Sequence, residues 1–99
     1  MGTASRPKPQ RLAEKLKIIR ERLDLTFEEL ITGLNCPAIP LYRASITLYE
    51  RGQREPPLLV LLQYARLANV YLEVLVDDRL DLPAELPSRQ KSEGISSRQ

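Results

Sequence analysis

The stretch Tyr42-Arg43-Ala44-Ser45-Ile46-Thr47-Leu48-Tyr49-Glu50-Arg51-Gly52 decides the reading of this chain. Ile46 and Tyr49 stand three apart, the spacing of neighbours on one helix face, so the segment reads as a short amphipathic helix with these two turned inward. Gly52 closes it, because glycine readily takes the left-handed conformation that ends a helix. Arg43, Ala44, Ser45, Thr47 and Leu48 are left on the outer face. Such a face fits a reader of base edges: arginine pairs with guanine, hydroxyls donate or accept, and small apolar groups meet the thymine methyl. It fits an ordinary solvated helix face equally well, and the neighbouring segments have to separate the two.

On the N-terminal side, residues 37–41 carry two prolines, Pro37 and Pro40, which forbid a helix and favour extended backbone. Ile39 and Leu41 are expected to pack down onto the body. Before them, Thr26 and Glu29 form a capping-box pattern that starts a second helix, with Leu30, Ile31 and Leu34 as its inner face. Earlier still, Leu12, Leu16, Ile19 and Leu23 recur at steps of four, three and four, predicting a first helix over about 10–23 with Lys15, Lys17, Glu21 and Arg22 outward. Residues 1–9 have no periodicity and read as a flexible arm, with Arg6 and Lys8 in reach of phosphates.

Beyond Gly52, a polar turn leads to Pro57, a residue suited to the first turn of a helix. The fourth helix is expected to run to about Ala68 with Leu58, Leu61, Leu62, Ala65 and Ala68 inward, and Asn69 as its left-handed cap. It is apolar on nearly every side. Residues 70–76 show partial alternation that resembles a strand, but no second strand candidate exists, so a short fifth helix is expected, with Val70, Leu72, Leu75 and Val76 inward. Residues 79–99 read as a C-terminal tail, draped over the body through Leu80, Leu82 and Leu86 and then disordered.

The fold class that follows is all-α: one helical domain over 10–78 with flexible ends. At 99 residues with 42% apolar content the core is small, so stability is marginal without a partner. Surplus apolar residues Leu59, Val60, Leu67, Tyr71 and Val74 are the expected surface of a homodimer. The alternative is a thicker monomer core covered by the tail. One cysteine and no histidine make a zinc site or a histidine-assisted nucleophile very hard to build, and no metal or cofactor is expected. The lone Cys36 fits a cytoplasmic protein. No apolar run reaches membrane-spanning length. Glu28-Glu29 and Asp77-Asp78 are adjacent pairs that do not face one another, so no enzyme is expected.

Net charge is only +2, but it is unevenly spread. Residues 1–22 hold seven cations against Glu14 and Glu21, whereas residues 71–87 hold Arg79 against five acids. This fits a positive field on one side of the domain, or ordinary surface charge.

Five short helices in this order, with "KLKIIRERLDLTFEEL", "ITLYERGQREPP" and "LLQYARLANV", resemble the Cro-type, lambda-repressor-like (XRE) helix-turn-helix domain. The resemblance covers about residues 12–77. It implies a sequence-specific, double-stranded-DNA-binding transcriptional regulator that acts as a homodimer. The helix at 42–50 would enter the major groove, with Arg43, Ala44, Ser45 and Thr47 toward bases. Thr26, Tyr42, Arg51 and Arg54 would meet phosphates. Arg20 and Glu50 would form a structural ion pair joining the first and third helices. Two features depart from the family. Phe27 stands where a glutamine usually follows the second helix's cap, and residues 37–41 lengthen the link before the third helix. These departures also fit an antitoxin-like or regulatory protein-interaction module on the same fold, with a protein partner.

Overall fold

A computed structural model describes residues 7–87 and 94–96, and among these the chain is a small, mostly helical globule. Five helices follow in order: α1 (Leu12–Arg22), α2 (Phe27–Leu34), α3 (Arg43–Glu50), α4 (Leu58–Ala68) and α5 (Leu72–Val76). α1 packs on α3 and α5, and α4 packs on α2 and α5. A minimal strand pair is present among the described residues: β1 (Leu80–Asp81) runs antiparallel to β2 (Ile95–Ser96). The expected arm over 1–6 and the tail over 88–93 and 97–99 lie outside the described residues. At residues 95–96 the structure departs from the expected irregular tail: this short piece pairs with the segment just after α5. Gly94, at φ +84, permits the turn, since a Cβ there would come within 3.0 Å of the Asp81 carbonyl and the Val74 side chain.

The core collects one face of each helix. Leu12, Leu16 and Ile19 from α1, Leu30 and Leu34 from α2, and Ile46 and Tyr49 from α3 are all buried. The helix ends follow local chemistry. Thr26 Oγ1 accepts from the Glu29 amide at 3.0 Å, and Glu29 returns the bond to the Thr26 amide at 2.9 Å. At the end of α3, Gly52 lies at φ +74, its N–H reaches the Tyr49 carbonyl, and the Gln53 N–H reaches the Leu48 carbonyl. That pair of bonds is a Schellman closure. Asn69, at φ +60, ends α4 the same way, with Val70 N–H donating to Ala65 O.

Three expectations are corrected. α4 is turned relative to the expected stripe: Val60, Leu61, Tyr64, Ala65 and Ala68 are buried, and Leu58 points outward. A helix apolar all round has no unique phase, and the Tyr64 ring, the largest group available, takes the centre. Val60, by this turn of α4, and Val74, on the inner side of α5, are core residues with no exposed surface, not parts of a dimer face. Leu67 is half-buried, while Leu59 and Tyr71 remain exposed. Val76, expected inward, is exposed, because Val74 and Leu75 fill the inner positions of α5.

Lys15 is the third correction. It is buried rather than outward, and its Nζ donates to the carbonyls of Val74 at 2.7 Å and Asp77 at 3.0 Å. The ammonium thereby closes the C-terminal end of α5, where carbonyls lack helical partners. Burial, reinforced by the nearby charge of Arg11, holds the Lys15 pKa below its ordinary value.

Candidate nucleic-acid interface

The start of α3 is the part of the expected site that faces solvent. Tyr42 is 66% exposed, Arg43 and Ala44 are exposed, and Thr47 and Leu48 are half-buried. Ser45 is not on this surface. It is 8% exposed, and its Oγ accepts from the Tyr42 N–H at 3.2 Å. A short hydroxyl three residues into a helix can turn back to an otherwise unsatisfied amide, and here it does so. Ser45 is thus a helix-start residue and not a group available to bases. The segment 37–41 leaves this end of α3 uncovered. It makes a tight turn, with Ile39 N–H donating to Cys36 O at 3.1 Å. Ile39 and Leu41 then pack half-buried against the core, bordering a groove of about 320 Å³ with Ile31 and Cys36.

Arg43 is anchored sideways to α2. Its Nη1 lies 3.0 Å from Glu28 Oε2, and its guanidinium sits over the Phe27 ring, 5.0 Å from the centroid. A second guanidinium, that of Arg20, lies over the same ring at 4.6 Å. Arg20 in turn grips Glu50 with two prongs, Nε to Oε2 at 2.7 Å and Nη2 to Oε1 at 3.0 Å. Its Nη1 also reaches the Leu25 carbonyl at 3.4 Å. The Glu50 hydrogen bond raises the Arg20 pKa against the opposing effect of burial. α1 and α3 are locked together through this pair, and the carboxylate is almost wholly covered, with 7% of its side chain exposed.

The remaining expected contacts lie at the start of α2 and just past the other end of α3. Thr26 is exposed, with its hydroxyl engaged in the α2 cap. Arg51 and Arg54 are exposed just past α3 and have no ion-pair partner among the described residues. Arg54 borders a cleft of about 260 Å³ that also takes in Lys8, Gln10, Leu12, Tyr49 and Gly52. Burial pushes the Tyr49 phenol above its ordinary pKa, while the Arg54 charge works the other way.

Part of the basic N-terminal segment is tied to the acidic C-terminal one. Arg11 pairs with Asp81 and donates to the Asp78 carbonyl, and Arg22 donates to the Pro83 carbonyl. Asp78 accepts from the backbone N–H groups of Gln10, at 2.9 and 3.1 Å, and of Arg11, at 3.1 Å. The basic start and the acidic end therefore interlock through Arg11 and Asp78, while Lys8, Lys17 and Arg22 of the basic start stay exposed. Both adjacent carboxylate pairs are engaged in structure: Glu28 with Arg43, Glu29 with Thr26, Asp77 with Arg79, and Asp78 with the approach to α1. Among the described residues no group of three His, Cys, Asp or Glu side chains is placed to hold a metal, and no helix is long and apolar enough to cross a membrane.

Glu28, Lys15 and Asp78 are the residues whose roles sequence reading missed. Each acts on a group far along the chain, so no local pattern announces it. No family model matches this chain, and neither does any curated protein or solved structure.

Proposed function

We propose that this chain is a sequence-specific regulator of transcription that binds double-stranded DNA through α3, in the manner of the Cro-type helix-turn-helix proteins it resembles. The observation that carries this is the solvent-facing start of α3, where Tyr42, Arg43 and Ala44 project, with Arg51 and Arg54, which have no ion-pair partner among the described residues, immediately after the helix. In this reading Arg43, Ala44 and Thr47 reach base edges. Tyr42, Arg51, Arg54 and the α2 start at Thr26 meet phosphates. A homodimer would present two copies of α3 to half-sites roughly 34 Å apart. Of the expected dimer surface, Leu59 and Tyr71 are exposed and Leu67 is half-buried, and these remain to build it.

The test is duplex binding across a salt series. Affinity should fall steeply as salt rises, and Arg51→Ala and Arg54→Ala should each flatten the slope by about 1. A chain that binds no duplex at low salt would refute the proposal. A second reading, an antitoxin-like protein-interaction module, is favoured by one separate observation: Leu58 and Leu59 stand side by side at 68% and 54% exposure. Recovery of a stable heteromeric complex by a protein with no DNA affinity would select it.

A further inference from the structure

We infer that Glu28 and Phe27 are positioning residues for Arg43, holding its guanidinium ready for a two-pronged contact with one guanine in each half-site. The inference rests on the DNA-binding reading above. Arg43 is the first residue of α3, and its side chain is 65% exposed, yet it is held at two points. Glu28 takes Nη1, and the Phe27 ring lies beneath the guanidinium plane's carbon at 5.0 Å. A guanidinium carries five donors in a planar fork. Glu28 engages one nitrogen, which leaves donors enough for guanine O6 and N7.

The ring that supports Arg43 is itself fixed. Phe27 is half-buried and packs against the core, Arg20 lies over it, and Arg20 is clamped by Glu50. A continuous series of contacts thus runs from Glu50, at the end of α3, through α1 and α2 to Arg43 at its start. An ion pair this exposed contributes little to folding. What it does is restrict Arg43 before DNA arrives, so that less side-chain freedom is lost on binding. The Glu28 carboxylate also repels phosphates, which penalises any docking in which Arg43 does not find its base.

The experiment is selection of bound duplexes from a randomised pool by the full chain, with Glu28→Gln, Phe27→Leu and Arg43→Met compared alongside. The expected result is a guanine in the wild-type sites whose preference disappears in Arg43→Met. Glu28→Gln should keep the rest of the site but weaken discrimination for that guanine by about tenfold, the scale of one good side-chain–base pair. It should also bind unrelated duplex more tightly at low salt, with its unfolding midpoint unchanged. Phe27→Leu should lower the same discrimination; if it unfolds, Glu28→Gln alone decides. Duplexes bound without an Arg43-dependent guanine, or with that preference intact in Glu28→Gln, would overturn the positioning role and leave DNA binding standing. Failure to bind any duplex at low salt would overturn both.

Discussion

Tyr64 fills the centre of the core, and its buried hydroxyl meets no hydrogen-bond partner among the described residues. Burial drives its pKa far above the ordinary phenol value. An unsatisfied buried hydroxyl costs free energy that a ring hydrogen does not. Tyr64→Phe should therefore raise stability by up to about 1 kcal/mol, read as a higher urea midpoint at unchanged slope; a loss would mean that the hydroxyl is satisfied in solution. Lys15 presents the opposite case. Its ammonium is buried but fully employed on the last carbonyls of α5. Lys15→Met keeps the aliphatic stem and strands those carbonyls, so a loss of about 1–3 kcal/mol is expected in the same measurement. Neither role was legible from position alone. Lys15 lies beside Leu16 on a face that the four-three-four spacing leaves polar, and only the arrival of α5 above it makes that face interior.

At the scale of elements, the signals that could be read were the local ones. The Thr26–Glu29 box, the Gly52 and Asn69 closures and the α1 stripe each depend on residues within one or two turns, and each appears where the pattern predicts. The phase of α4 could not be read, because its apolar residues surround the helix and the choice of inner face depends on which neighbour holds the widest space. The helical identity of 72–76 over a strand followed from the lack of a partner strand, although a two-residue pairing does occur just beyond it. In the candidate site, exposure of Arg43 and Ala44 was legible, but the inward turn of Ser45 was not, since a serine at that spacing serves a surface or a cap equally. Two element-level outcomes are expected. Gly52→Ala should cost about 1 kcal/mol, because the positive φ is strained for any residue with a Cβ, even though that Cβ would meet the Ala13 side chain at an ordinary contact distance of 3.5 Å. Glu50→Gln breaks the two-pronged grip between α3 and α1 and leaves Arg20 partly buried without its counter-charge. It should cost about 2 kcal/mol by thermal or urea unfolding.

The molecule as a whole is held shut where its basic and acidic ends meet. Asp77 and Asp78 both have pKa values held below the ordinary carboxylate range, Asp77 chiefly by Arg79 and Asp78 chiefly by the Gln10 amide. Below that range the unfolded chain binds protons first, so stability rises with pH up to about 4 and is lost as pH falls toward the native values. The thermal midpoint should thus be flat between about pH 5 and 8 and drop in more acidic buffer, with a shallower drop in Asp78→Asn. An equally steep drop in that variant would place the acid sensitivity elsewhere. The exposed apolar residues Leu58, Leu59 and Tyr71 should make the apparent mass rise with concentration, and Leu59→Asp should abolish the rise in light scattering. The dependence of α1 on Asp78 also bears on how the chain is made. During synthesis the first helix leaves the ribosome dozens of codons before the carboxylate that secures its beginning, so every helix of the globule is made before that beginning is anchored. A chain cut short of residue 78 would keep α3 and α5 to cover the apolar stripe but would leave the first amides of α1 without their acceptor, a frayed entry open to proteolysis.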